Sequence, residues 1–289
     1  MTFELQCGIH SFPSAARTLS LFHSFTPSLI HSLPMNKVIK YVWLDILQNR
    51  IVLAYTVFLL VVSATLFGME SNASKGLMSL LNIVLMVVPL ISLIFTTIHF
   101  YNSYEFIELL LAQPINRSKL LLSEFAGVAS SLVTAFLVGV GAPVLYYAPS
   151  ATGAALLAAG IALTLVFVAL AFLASVCTRD KAKGIGLALL IWFYFGLLYD
   201  GLVLTILFTF SDYPLEKAML VLTTLNPVDL ARIFIMLQMD VSALMGYTGA
   251  LYQEFFGSMT GSLYALGVML IWAVVPVWLA VRVFARKDL

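Results

Sequence analysis

Six apolar runs, each long enough to cross a hydrocarbon core, leave this chain very few folds to adopt. A membrane-crossing helix takes about 20 residues. The runs are Ile51–Met69, Leu77–Phe100, Phe125–Tyr147, Gly153–Cys177, Gly184–Phe210 and Gly261–Phe284. None shows the strict alternation of a membrane β-barrel strand, so helices are expected throughout. Composition agrees: of 289 residues 62% are hydrophobic and 10% are charged, against about 25% charged in an average soluble domain. So few charges cannot coat a soluble surface of this size. A soluble enzyme, a secreted disulfide scaffold and a nucleic-acid module are therefore excluded.

The charges between the runs predict the orientation. Arg17, Lys37, Lys40, Arg50, Arg117, Lys119, Arg179, Lys181, Lys183, Arg282, Arg286 and Lys287 all fall on one side, and only Lys75, Lys217 and Arg232 fall on the other. Basic loops stay in the cytoplasm, so both termini are expected inside. Cys7 and Cys177 then lie where thiols stay reduced, and no disulfide framework is expected.

Residues 1–34 differ from the rest. They are rich in Ser, Thr, Pro and His and carry only Glu4 and Arg17 as charges. They read as a disordered extension or as a stretch upstream of the true start at Met35, with one transmembrane domain over 35–289. From Met35 to Arg50, Val38, Ile39, Val42, Trp43, Ile46 and Leu47 recur at helical spacing. The spacing predicts an interfacial elbow helix in contact with membrane lipid, anchored by Trp43.

Two connections are long enough to do work. The cytoplasmic loop Tyr101–Phe125 is broken at Pro114, with Glu105 and Glu108 before the break and Arg117 and Lys119 after it. Two short charged helical pieces of this kind suit docking into the groove of a soluble partner; an interfacial loop helix without a partner is the alternative. The outer segment Ser211–Thr260 holds Asp212, Glu216, Asp229, Asp240 and Glu254 against Lys217 and Arg232. Asn226-Pro227 predicts a helix start, with Asn as cap and Pro in the first turn. Leu230, Ile233, Phe234, Leu237 and Val241 then share one face. Tyr252, Phe255 and Phe256 suggest a second element that dips back toward the membrane, a re-entrant arrangement.

Catalytic machinery is not visible. The sequence has no phosphate-binding G-x-x-x-x-G-K-[ST] and no H-E-x-x-H. His99 stands by itself at the inner end of the second run and reads as an interfacial residue. Asp200 is the one charge deep in a run, where a carboxylate costs about 2.5–3.5 kcal/mol. It should therefore face the bundle or a subunit interface. Two roles are open for it: part of a polar pathway or gate, or a structural Asp bonded to Tyr194 or Tyr199. Met219, Met236, Met239, Met245 and Met259 suit Cu(I) by softness but are expected to pack as apolar filler.

With these residues in view, Met35–Leu289 resembles an ABC-2-type exporter permease. The supporting stretches are Glu108-Leu-Leu-Leu-Ala-Gln-Pro114-Ile-Asn-Arg117-Ser-Lys119, Thr178-Arg-Asp180-Lys-Ala-Lys-Gly184, Leu198-Tyr-Asp200, Leu225-Asn-Pro-Val-Asp229 and the terminal Phe284-Ala-Arg-Lys-Asp-Leu289. The middle three resemble the copper-processing Nos branch, which serves maturation of nitrous oxide reductase. One stretch departs: Tyr101-Asn-Ser-Tyr-Glu-Phe-Ile stands where such permeases carry a Glu/Arg-rich run ending in Gly-Thr. The resemblance implies a non-enzymatic subunit of the bacterial inner membrane, present as a homodimer. It implies two copies of a separate ATPase, which would carry ATP and magnesium, and a periplasmic accessory protein. Glu105, Glu108, Arg117 and Lys119 would form the coupling helix. An ABC-2 exporter for another substrate, and a proton-coupled carrier using Asp200, are the rival expectations.

Overall fold

The computed structural model describes residues 43–44, 46–70, 72–104, 116–210, 216–238 and 259–286. Every element among them is helical. Six helices are long and apolar enough to span a membrane: α1 (Arg50–Met69), α2 (Ala73–Asn102), α3 (Arg117–Tyr147), α4 (Ala151–Cys177), α5 (Lys181–Thr209) and, after two shorter helices, α8 (Met259–Arg286). The shorter pair, α6 (Glu216–Leu225) and α7 (Pro227–Leu237), lies between α5 and α8. The chain is an all-α, multi-pass membrane protein.

The apolar runs mark where each helix crosses hydrocarbon, but the helices begin earlier than the runs do. Capping side chains set the true starts. Asn49 Oδ1 accepts from the Ile51 amide at 2.9 Å, Ser150 Oγ from Gly153 at 3.2 Å and Asp180 Oδ1 from Ala182 at 2.9 Å. Each satisfies an orphan amide of a first turn. The stretch after Pro114 is likewise not a separate short piece. From Arg117 it is the opening of α3.

Short links between α1 and α2, α3 and α4, and α4 and α5 make those neighbours antiparallel. The basic residues Arg50, Arg117, Lys119, Arg179, Lys181, Lys183, Arg282 and Arg286 therefore gather at one end of the bundle, called here the basic end. Helices α6 and α7 stand at the far end.

Helix α4 is the axis of the fold. Its small residues Ala155, Ala159, Gly160, Ala171 and Ala174 are buried and let α2, α3, α7 and α8 approach closely. Of its most apolar stretch 72% is buried, against 11% for α5. Helix α5 leans on α2, with Trp192 Nε1 donating to the Met86 carbonyl at 3.1 Å, and leaves Leu190, Leu197, Leu198, Leu204 and Phe208 exposed.

Helices α3 and α5 each contain one widened π-helical turn, Leu137–Gly141 and Tyr194–Leu198. Such turns frequently mark functional sites. In both, a carbonyl of the widened turn accepts a bond from another segment. Ser63 Oγ of α1 donates to the Gly139 carbonyl at 2.9 Å, and Asn226 Nδ2, just before α7, donates to the Phe195 carbonyl at 3.0 Å. Gly139 permits the first contact, because a Cβ there would lie 2.8 Å from Leu59 Cβ.

Of the expected elbow, Trp43, Leu44, Ile46 and Leu47 are helical. Trp43 Nε1 donates to Thr134 Oγ1 at 3.4 Å and Ile46 is buried. Residues 35–42 and 45 of that segment, the loop 105–115 and the expected second outer element in 239–258 lie outside the described residues.

Candidate functional site

At the far end, a cluster of polar side chains joins α5 to α7. Asn226 caps α7, its Oδ1 accepting from the Val228 amide at 3.0 Å. Its Nδ2 donates to Asp229 Oδ2 at 2.9 Å as well as to the Phe195 carbonyl. Arg232 follows Asp229 one turn later on the same face. Its Nη1 donates to Asp229 Oδ1 at 3.2 Å and to Asp200 Oδ2 of α5 at 3.0 Å. One guanidinium thus serves two carboxylates. Burial pushes the Asp229 carboxyl up to about 7; the adjacent Asp200 carboxylate adds to the rise, while Arg232 and Asn226 oppose it.

This arrangement answers the demand that Asp200 raised. Asp200 lies nine residues before the end of α5, or about 14 Å along a helix rising 1.5 Å per residue. Its ion-pair partner is Arg232, not a neighbouring tyrosine. The Tyr199 hydroxyl instead donates to the Leu222 carbonyl of α6 at 2.6 Å. From α8, Trp272 Nε1 donates to the Thr224 carbonyl at 3.1 Å. The short helices are therefore held from both sides. Buried Leu230, Ile233 and Phe234 supply the apolar face of α7, as their spacing predicts.

At the basic end a second polar node joins α2 to α3. His99 Nε2 lies 2.9 Å from Glu124 Oε1, with Ser103 Oγ 3.4 Å from the same nitrogen. Side-chain exposure is only 12% for His99 and 4% for Glu124. His99 is thus not the solitary interfacial residue expected from the sequence. Its ring stacks on buried Phe95 at 5.8 Å between centroids. A carboxylate as buried as Glu124 requires a partner, and the imidazole supplies one.

Two residues further along α2, the Tyr101 hydroxyl bonds Thr178 through its side-chain oxygen and, at 3.2 Å, its carbonyl. Lys181 Nζ donates to Asn102 Oδ1 at 2.8 Å. Gly184 makes this possible: a Cβ there would fall 2.4 Å from the Tyr101 hydroxyl. The end of α2 is therefore fastened both to α3 and to the link between α4 and α5.

Of the residues singled out in the sequence, Asp200 sits in the outer cluster. Lys119 is exposed and Arg117 half-buried in the first turn of α3. Glu105 and Glu108 lie outside the described residues, as does Met239. Met236 is half-buried and packs against the core. His99 and Glu124 gained their partners only through the fold, as Asn226 did its bond to the Phe195 carbonyl, whereas Asp229 is bonded to residues three positions away on either side. One signal was available for Arg232. An intramembrane Asp needs a cation, and the outer side offers few. Among the described residues no group of three or more His, Cys, Asp or Glu side chains is close enough to hold a metal ion.

Six spanning helices, a charged loop rooted at the basic end and helical outer segments are what the family comparison meets. The profile of the ABC-2 family transporter protein matches residues 37–289. The chain belongs to the ABC-2 transporter family. Among its relatives is a probable ABC transporter permease protein NosY of Pseudomonas aeruginosa, 31% identical over 223 residues, covering 70% of this chain and 81% of that one. A second, the probable NosY permease of Stutzerimonas stutzeri, is 30% identical over 211 residues, or 65% of this chain and 76% of its own. Both far-end carboxylates, the guanidinium between them and the His99–Glu124 pair lie inside the region matched by the family profile.

Proposed function

We propose that this chain is the membrane-spanning permease subunit of a Nos-type, copper-processing ABC system. It takes force from a separate ATPase at the basic end and delivers it to the far end. The basic end is cytoplasmic in this reading, following the distribution of Lys and Arg. ATP and magnesium belong to the ATPase, which docks on the loop containing Glu105 and Glu108 and running into Arg117 and Lys119. The NosY names of the relatives support the copper-processing branch, in which the outer face meets a periplasmic accessory protein.

The observation that carries this reading is the Arg232 bridge. It ties a spanning helix, through Asp200, to an outer helix, through Asp229. Tilting α5 must then displace α7, because breaking the bridge would strand a charge in a poorly hydrated place. Asp200 works here as a mechanical gate residue. The bridge also supports a homodimer. Asp200, on the little-covered α5, and Arg232, reaching it from α7, keep 33% and 32% side-chain exposure, and charge facing lipid is unfavourable. A second copy, or water held between two copies, answers that need.

The test is co-purification. Glu108→Lys with Arg117→Glu should leave the permease in the membrane but release the ATPase during purification, since losing a desolvated interfacial pair costs about 2–5 kcal/mol. ATPase retained at the wild-type level would overturn the docking assignment.

A further inference from the structure

We propose that His99 and Glu124 are positioning residues that make the two roots of the 105–115 loop move as one body with the basic ends of α4 and α5. This rests on the reading of that loop as the place where force enters. Helix α2 leads into the loop and α3 leads out of it. A push on a loop with independent roots would be absorbed by splaying them. The 2.9 Å His99–Glu124 contact closes that gap. Ser103 beside the imidazole and Phe95 against its ring fix the ring's orientation. Tyr101 with Thr178, and Lys181 with Asn102, then extend the tie from α2 to the α4–α5 link. The route from Lys119 on α3 to Ala182 on α5 therefore runs through two fastenings in series, of which His99–Glu124 is the first. Its burial suits a tie, because a contact shielded from water is neither screened by salt nor exchanged for water bonds.

The test uses spin labels at Lys119→Cys and Ala182→Cys, both exposed positions, with Cys7 and Cys177 replaced by Ser. It is read first in the permease alone and then in its complex with the ATPase. The unaltered pair should give one narrow distance distribution, unchanged by ATP. His99→Leu with Glu124→Leu carries the main arm, since an apolar replacement of a buried pair leaves no orphan charge and preserves folding. That variant should broaden the distribution. In the complex, with the labels moved to the exposed far-end positions Leu145→Cys and Val221→Cys, the population shifted by ATP should fall about tenfold while ATP hydrolysis continues. Glu124→Gln, which keeps a hydrogen bond to the imidazole, should restore the narrow distribution. A folded Leu/Leu variant with a narrow distribution and an unchanged far-end shift would overturn the tie. So would a Glu124→Gln variant as broad as Leu/Leu. The measurement on the permease alone does not involve the ATPase. A failure of the docking reading, seen as ATPase retained after the Glu108 and Arg117 reversals, is therefore distinguishable from a failure of the tie.

Discussion

The two polar nodes solve the same problem, charge inside a membrane bundle, in opposite ways. At the basic end one imidazole meets one carboxylate, both nearly closed off from solvent. At the far end one guanidinium meets two carboxylates, with a third of Asp200 and Arg232 still exposed. The first pair is one-to-one and enclosed. The second carries an excess of acid, is less enclosed, and has one carboxyl pushed toward its protonated form. An enclosed, one-to-one contact suits a fastening that stays closed. A more open contact, with two carboxylates sharing one guanidinium, suits a joint that passes motion from one helix to the next. The difference teaches that a closed fastening stands where force would enter and a more open, shared one where motion would be handed on.

The largest effect should come from His99→Ala, which leaves the buried Glu124 carboxylate unpaired and should cost about 3–5 kcal/mol. Glu124→Ala should cost less, about 1–3 kcal/mol, because the orphan left behind is the more exposed partner, 12% against 4%. Thermal unfolding of the purified chain in detergent compares the two. Equal losses would mean that Glu124 is not the buried charge that makes the node.

Next in size is Arg232→Met. It leaves two neighbouring carboxylates, but with a third of Asp200 exposed the cost should be about 1–3 kcal/mol. Raising the salt to about 1 M should weaken the wild-type outer joint and leave the inner fastening nearly untouched. Hydrogen exchange in α7 and at the end of α2 reads both. Equal salt sensitivity at the two ends would erase the contrast.

A smaller effect is expected from Asp229→Asn, read through pH. The folded-state carboxyl is raised to about 7 from an unfolded value of about 3.9. Between those values the folded state binds the extra proton, so this group's contribution to stability falls as pH rises from about 4 to about 7 and is flat above. The Asn variant should lose that part of the pH dependence. A melting curve that falls with pH in the same way in both proteins would remove Asp229 from the joint.

Much of the architecture was legible because a lipid solvent allows so few solutions. Runs of about 20 apolar residues must be helices, and their number and basic flanks define the plan. The C-terminal ends of the helices were legible too, since apolarity and helix stop together at Met69, Tyr147 and Cys177. The starts were not, because Asn49, Ser150 and Asp180 begin helices in polar sequence where hydropathy is blind. Asn226-Pro227 announced α7, whereas nothing in Glu216–Leu225 announced α6 as strongly. The site was legible only in halves. Asp200 declared itself by its cost, but Arg232 stands 32 residues away in sequence, and no local pattern carries that distance. His99 looked solitary for the same reason, with Glu124 25 residues on and across an intervening loop.

The central claim is that motion started at the basic end reaches the outer helices through the Asp200–Arg232–Asp229 joint. Its most direct test is the distance between labels at Leu145→Cys on α3 and Val221→Cys on α6, both exposed at the far end, in the full complex with and without ATP. The account predicts an ATP-dependent change of distance in the otherwise wild-type complex. It predicts that Asp200→Asn, which inserts and assembles normally, loses most of that change while ATP hydrolysis continues. The same ATP-dependent change in Asp200→Asn as in the wild type would contradict it.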